Sequence, residues 1–273
     1  MCGPLKQSSS QEIARAVAQV LERNAIASLA TLVHAPAGSV GAKLLVEETG
    51  ERTGSLGDAE LDDAVVAYAE TFLNSCAEAR TFNLKELAAE LAGLPGTRIL
   101  FERIEPEPRL VICGAGHVGA ALALLARQLS YRTTLIDDRA DFLTRERFPD
   151  EGIELVTVSR WTDGVRACVG AGRNVAVAVV TRGHNEDEEC MRAVMSARPH
   201  YVGLIGSKRR TNIVLERLRE AGVEDERLRE VRAPIGLDIG AVTPQEVALS
   251  ILAEIVAERR GGTSLPLSGW RRE

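Results

Sequence analysis

The sequence predicts an α/β protein, with a doubly wound parallel sheet in its C-terminal part and a smaller α+β domain before it. Three features carry that expectation. Residues 109–138, RLVICGAGHVGAALALLARQLSYRTTLIDD, run as strand, glycine turn, helix, strand and acid, the order of a dinucleotide-binding unit. Beyond it, continuous apolar runs alternate with helical periods, as strands do when helices cover both faces of their sheet. Finally, Pro106-Glu107-Pro108 cannot continue a central strand or a helix. This linker divides the chain into expected domains 1–105 and 106–273, the second of them Rossmann-like.

The 273 residues suit about two domains, and 45% apolar with 26% charged residues is the composition of a folded globular chain. A net charge of −6 argues against nonspecific nucleic-acid binding, which needs a surplus of lysine and arginine. No apolar run is long enough to span a bilayer, and MCGPLKQSSS lacks a hydrophobic signal core, so a cytoplasmic location is expected. Cys2, Cys76, Cys113, Cys168 and Cys190 form neither a disulfide framework nor a zinc-ligand pattern. Cys113 reads as a strand-core thiol, and Cys2 as the thiol most open to solvent.

In the first domain, Ile13, Ala14, Val17, Val20 and Leu21 recur at helical spacing over 11–23, with N-cap candidates at Ser8 to Ser10. Residues 27–33 read as a strand. Pro36, Gly38, Gly41, Gly50, Gly54 and Gly57 then punctuate a β-like run at 43–47. Over 58–76, Leu61, Ala64, Val65, Tyr68, Phe72 and Leu73 share one helical face. Asp58, Glu60, Asp62 and Asp63 crowd its first turns, where acids complement the helix dipole, and no metal site is expected there. A strand at 97–105 closes the domain.

In the second domain, strands are predicted at 110–113, 133–137, 153–158, 174–181 and 201–205, and helices at 118–129, 162–169, 188–197, 210–221 and 244–259. The last helix carries a capping box, Thr243-Pro-Gln-Glu246, with proline at its first position.

Ligands of a parallel sheet bind where strand ends face helix starts, and four such turns stand out. At Gly114, Gly116 and Gly119 the backbone is free to approach a pyrophosphate, with Asp137 or Asp138 placed to accept from a ribose hydroxyl. Arg139 leaves a 2′-phosphate open, and His117 either faces the ligand or caps the helix. Thr181-Arg-Gly-His-Asn-Glu-Asp187 offers His184 as a general base or ligand, or as a solvated residue of an acid-rich cap. In the third turn Gly206 and Ser207 precede Lys208, Arg209 and Arg210, cations that oppose a helix dipole unless an anion sits among them. The fourth, 233–240, places apolar Ile235, Leu237 and Ile239 around Asp238 as a loop that closes over the site or simply connects. No serine-hydrolase or Walker A pattern is present.

At these residues the chain resembles the XdhC/CoxI family, accessory proteins of molybdenum hydroxylases such as xanthine dehydrogenase and carbon monoxide dehydrogenase. The resemblance runs from Phe101 to Arg260, through FERIEPEPRLVICGAGHVG, IDDRADFLTRERFPD, TRGHNED, YVGLIGSKRRT and APIGLDIGAVTPQEVALSILAEIVAERR. It implies a chaperone that binds the molybdenum cofactor, as molybdopterin or its nucleotide form, and helps its sulfuration and insertion into an apo molybdenum hydroxylase. A cysteine desulfurase and a second copy of the chain are the further partners it suggests. Towards the N-terminus the resemblance loosens. Gly38-Ser-Val-Gly-Ala-Lys43 is a shortened form of a family stretch, and Gly54-Ser-Leu-Gly-Asp58 stands where relatives carry a cysteine. Sulfuration by this chain itself is therefore not expected. The rival readings are an NAD(P)-dependent oxidoreductase using the same glycine turn and a purely structural component of a hydroxylase assembly.

Overall fold

The computed structural model describes residues 10–36, 40–75, 77–84, 96–170 and 174–267. The chain forms two compact units, Met1–Pro106 and Glu107–Glu273.

The first unit is an antiparallel sheet of β1 (Ala27–His34), β2 (Lys43–Glu47), β3 (Arg52–Ser55), β4 (Ala79–Asn83) and β5 (Arg98–Ile104), in the order β3-β2-β1-β5-β4. Alternation along the strands sends Ala30, Leu32, Leu44, Val46, Ile99 and Phe101 to one face, against Leu61, Val65 and Phe72 of α2 (Ala59–Asn74). Ala27, Leu29 and Leu45 go to the other, against Ile13 and Val20 of α1 (Ser10–Glu22). The two edge strands escaped the sequence reading because β3 buries only Ser55 and β4 only Phe82, so neither shows apolar alternation. Three acids at the start of α2 have structural partners. Asp58 accepts from the Leu61 N–H at 2.9 Å, buried Asp62 accepts from the Leu56 N–H at 2.7 Å, and Asp63 pairs with Arg52. The expectations at Ser8, Ser9, Gly38, Cys2 and Cys76 fall outside the described residues.

The second unit is a parallel sheet of β6 (Arg109–Cys113), β7 (Arg132–Asp137), β8 (Ile153–Thr157), β9 (Val175–Val179) and β10 (Tyr201–Leu204), in the order β10-β9-β6-β7-β8. Its helices are α3 (His117–Gln128), α4 (Trp161–Val169), α5 (His184–Ser196), α6 (Lys208–Glu220), α7 (Asp225–Arg229) and α8 (Pro244–Arg260). Val111, Cys113, Val177 and Val179 face Trp161, Val165, Met191, Val194, Val214 and Leu218 of α4, α5 and α6. Leu110, Ile112, Leu135 and Ala178 face Leu122, Ala126, Ile251 and Ile255 of α3 and α8. This two-sided burial is why the strands read as unbroken apolar runs. The capping box of α8 forms as predicted, with Glu246 accepting from the Thr243 N–H and the Thr243 hydroxyl accepting from the Glu246 N–H.

Some boundaries differ. Helix α5 starts at His184 rather than 188, because Gly183 serves as its N-cap and Glu186 and Asp187 lie in its first turn. Residues 231–235, read as a loop, run beside β10 with a parallel bridge from Arg232 to Gly203, and Arg232 and Ile235 exchange backbone bonds with that strand. The five-residue α7 was too short to show a period.

Candidate functional site

The strand order reverses between β6 and β9, so the turns after these strands flank the crevice where a sheet of this kind takes its ligand. Three glycines shape the turn after β6, each for a different reason. Gly114 has φ of +117°, and a Cβ there would stand 2.6 Å from the Val180 carbonyl oxygen. A Cβ on Gly119 would fall 1.8 Å from the Gly114 carbonyl oxygen, so α3 packs against its own strand only without one. Gly116 is crowded by nothing: no atom lies within 4 Å of the Cβ position, and no side chain caps α3. The unpaired N–H groups of the first helical turn therefore open onto unobstructed backbone. His117 is exposed at the first helical position, and since Gly116 is the cap, the capping alternative for His117 is set aside.

Asp137 ends β7, buried to 1% exposure. Its carboxylate accepts from the Ala115 N–H at 2.7 Å, from the Arg139 N–H at 3.0 Å, and from Arg139 Nε and Nη2 at 2.9 and 3.0 Å. Burial opposes ionisation, but the Arg139 guanidinium and the two backbone N–H groups outweigh it and hold the carboxyl at about 2, below its ordinary 3.8. The ribose acceptor expected at this position is thus occupied in fixing the glycine turn. Asp138 forms a two-pronged pair with Arg182, at 2.7 and 2.8 Å, and Arg182 also reaches Glu186 at 3.1 Å. Arg139 lies 3.7 Å from the centre of the Phe142 ring, and Arg147 stacks on the same ring at 5.1 Å.

The turn after β9 is tied down by a buried network. Asp187, fully buried, accepts from the Thr181 hydroxyl at 2.5 Å and from Arg210 Nε and Nη2 at 3.0 and 2.5 Å. Burial pushes its carboxyl up from the ordinary value, and the Thr181 and Arg210 bonds oppose that. Arg210 thus has its counter-ion inside the protein, which corrects the expectation that it waits for a bound anion. Lys208 and Arg209 are different: both are exposed at the start of α6, and among the described residues neither has a carboxylate partner. Ser207 caps the helix, accepting from the Arg210 N–H at 3.3 Å, and Gly206 before it has φ of +146°. His184 is exposed at the first position of α5, and the neighbouring Asp187 and Glu186 are engaged by Arg210 and Arg182. No acid orients it for proton transfer.

The 233–240 segment is anchored on α8. The Gly236 N–H donates to Glu254 at 2.8 Å, as does the Tyr201 hydroxyl at 2.5 Å, and the Leu237 N–H donates to the Ser250 carbonyl. Burial and the Glu254 carboxylate raise the Tyr201 hydroxyl above its ordinary range. Ile235 is buried, but Ile239 is half exposed, so the apolar series expected here faces inward only at its start.

Two cavities lie away from these turns. One, of about 470 Å³, is in the first unit beside Glu47, Leu73 and Arg103. The other, of about 310 Å³, lies beside His200 at the start of β10, where Arg227 and Arg232 are paired with Glu230 and Glu258.

A family profile for the XdhC Rossmann domain matches residues 110–255, more than half of the chain, and one for the XdhC and CoxI family matches 20–83. The chain belongs to the XdhC family. Among XdhC-family relatives, it is 30% identical over 164 residues to a protein of Bacillus subtilis named as a probable xanthine dehydrogenase subunit, covering 60% of this chain and 47% of the relative. It is 33% identical over 86 residues to the molybdenum cofactor insertion chaperone PaoD of Escherichia coli, covering 32% and 27%. The matched stretches thus amount to less than half the length of either relative. The solved structure of a xanthine dehydrogenase from Bacillus halodurans matches across 93% of this chain and 97% of its own, at 18% identity and a TM-score of 0.51, which shows a shared fold. Among the described residues no helix is long and apolar enough to cross a membrane, and no group of three or more His, Cys, Asp or Glu residues is gathered as a metal ion would need.

The structure brings Gly114, Gly116, Gly119, Asp137 and Asp138 together around one turn. The sequence reading missed Arg147, Arg182 and the partnership of Asp187 with Arg210. The signal was present only as arginines and acids within TRGHNED and RERFPD, and their pairing spans 23 to 44 residues of chain.

Proposed function

We propose that this protein binds the molybdenum cofactor in the crevice at Gly114 to Gly119 and delivers it, in the cytoplasm, to an apo molybdenum hydroxylase. The observation that carries the reading is the bare backbone at Gly116, at the reversal of strand order in an XdhC Rossmann domain. A phosphate-bearing tail fits there because the first-turn N–H groups of α3 lack partners and nothing shields them. Lys208 and Arg209, exposed and without carboxylate partners among the described residues, supply positive charge on the start of α6. The cofactor, when bound, supplies the molybdenum centre with which the client works. This chain's residues hold its anionic end and keep the turn in shape through Asp137. No proton-transfer role falls to His184 in this reading, and sulfur supply belongs to a partner such as a cysteine desulfurase.

The supporting names belong to relatives: an insertion chaperone and a probable dehydrogenase component. The test is to purify the protein from cells with and without molybdenum cofactor supply, then measure bound pterin and activation of an apo-hydroxylase. Bound pterin and activation are expected with supply, and folded protein lacking both would overturn the proposal. Gly116→Ala sharpens the test. With open space around it and an ordinary φ of −65°, the variant should melt with the wild type yet lose pterin binding by tenfold or more, because its methyl group stands where the phosphate approaches.

A further inference from the structure

We propose that Arg147 anchors a phosphate monoester beside the glycine turn, so that the crevice selects ligands by a terminal phosphate rather than by a ribose diol. The inference rests on the cofactor reading above and names the group that the crevice recognises.

The two acids that would read a ribose are already committed. A carboxylate offers about four acceptor positions. Asp137 has four N–H contacts, from Ala115 and Arg139, and almost no exposure. Asp138 is gripped by both terminal nitrogens of Arg182 and has Arg139 at 3.8 Å. Neither can turn to a sugar hydroxyl without breaking an arginine pair.

Arg147 is the third arginine at this corner, and its charge is not committed. Nη1 donates to the Phe142 carbonyl at 2.6 Å and Nη2 to the Ala115 carbonyl, within the glycine turn itself, at 3.3 Å. Its guanidinium lies 5.1 Å from the Phe142 ring and 5.3 Å from the Phe148 ring. Among the described residues no carboxylate comes within ion-pair distance, the neighbouring Asp141 and Glu146 included. Two of the five guanidinium N–H groups are used on neutral oxygens, leaving donors free. The group is therefore charged, held in place by two carbonyls and two rings, and exposed next to the turn whose N–H groups accept phosphate. A planar fork in that position suits the oxygens of a phosphate, and little side-chain entropy remains to be lost on binding.

The test measures preference for phosphate with two ligand pairs that differ by that group: NADP+ against NAD+, and the oxidised pterin phosphate derived from the cofactor against its dephosphorylated form. Full-length wild type, Arg147→Gln and Arg147→Lys are titrated by calorimetry and fluorescence, and each is melted. At least one phosphorylated member should bind wild type tenfold or more tighter than its counterpart. Arg147→Gln should erase that preference at an unchanged melting temperature, and Arg147→Lys should restore part of it. Equal binding of both members of each pair by wild type overturns the proposal without needing a variant. A preference retained in Arg147→Gln overturns it too; pterin kept by that variant would leave the cofactor reading standing. Preference confined to NADP+, with no pterin bound, supports the phosphate subsite while removing the cofactor reading.

Discussion

Replacing Asp137 with asparagine tests whether the glycine turn is held by a charge. The side chain is almost fully buried, and its carboxyl lies at about 2 against an ordinary 3.8. At 1.36 kcal/mol per unit, the shift corresponds to about 2 kcal/mol of stability. The sign follows from the depressed value. The contribution is complete above the unfolded carboxyl's range, from about pH 5 upward, and drains away as pH falls through 3.8 towards 2. At pH 3 the linkage relation leaves about 1 kcal/mol. The asparagine side chain would keep an acceptor for the Ala115 N–H but leave the Arg139 guanidinium, one third exposed, without its partner. Urea unfolding of wild type and Asp137→Asn should therefore differ by about 2 kcal/mol at pH 7 and by about half as much at pH 3. A difference below about 0.5 kcal/mol at pH 7, or one that does not shrink on acidification, would refute the reasoning.

Three further substitutions test other parts of the frame. Gly119→Ala places a methyl group 1.8 Å from the Gly114 carbonyl oxygen, a backbone atom that cannot swing aside. It should cost at least about 2 kcal/mol in urea unfolding, in contrast to the neutral Gly116→Ala. Asp187→Ala strips the buried counter-ion from Arg210 and an acceptor from Thr181, and should lower stability by about 3 kcal/mol, with Asp187→Asn falling between. Thr243→Ala removes half of the α8 capping box while Glu246 keeps its bonds to the Val242 and Thr243 N–H groups, so a loss of about 1 kcal/mol is expected by thermal melting.

The sequence by itself determined the layering of the second unit and the place of its ligand crevice. A strand buried on both faces must be apolar throughout, a helix shows its period, and the close approaches at Gly114 and Gly119 admit no side chain, so each leaves a local mark. The capping box at Thr243 and Glu246 was legible for the same reason: both partners lie within four residues. Only the tertiary structure decided the charges. Whether Asp137 faces a sugar or the Ala115 N–H, whether Arg210 awaits an anion or meets Asp187, and whether Arg147 has any acid at all depend on residues 22, 23 and 32 positions apart in the chain. Ion pairing is set by how elements pack side by side, and composition carries no trace of it. The edge strands β3 and β4 fell on the same side of that divide, since backbone pairing to β2 and β5 makes them strands without an apolar pattern of their own.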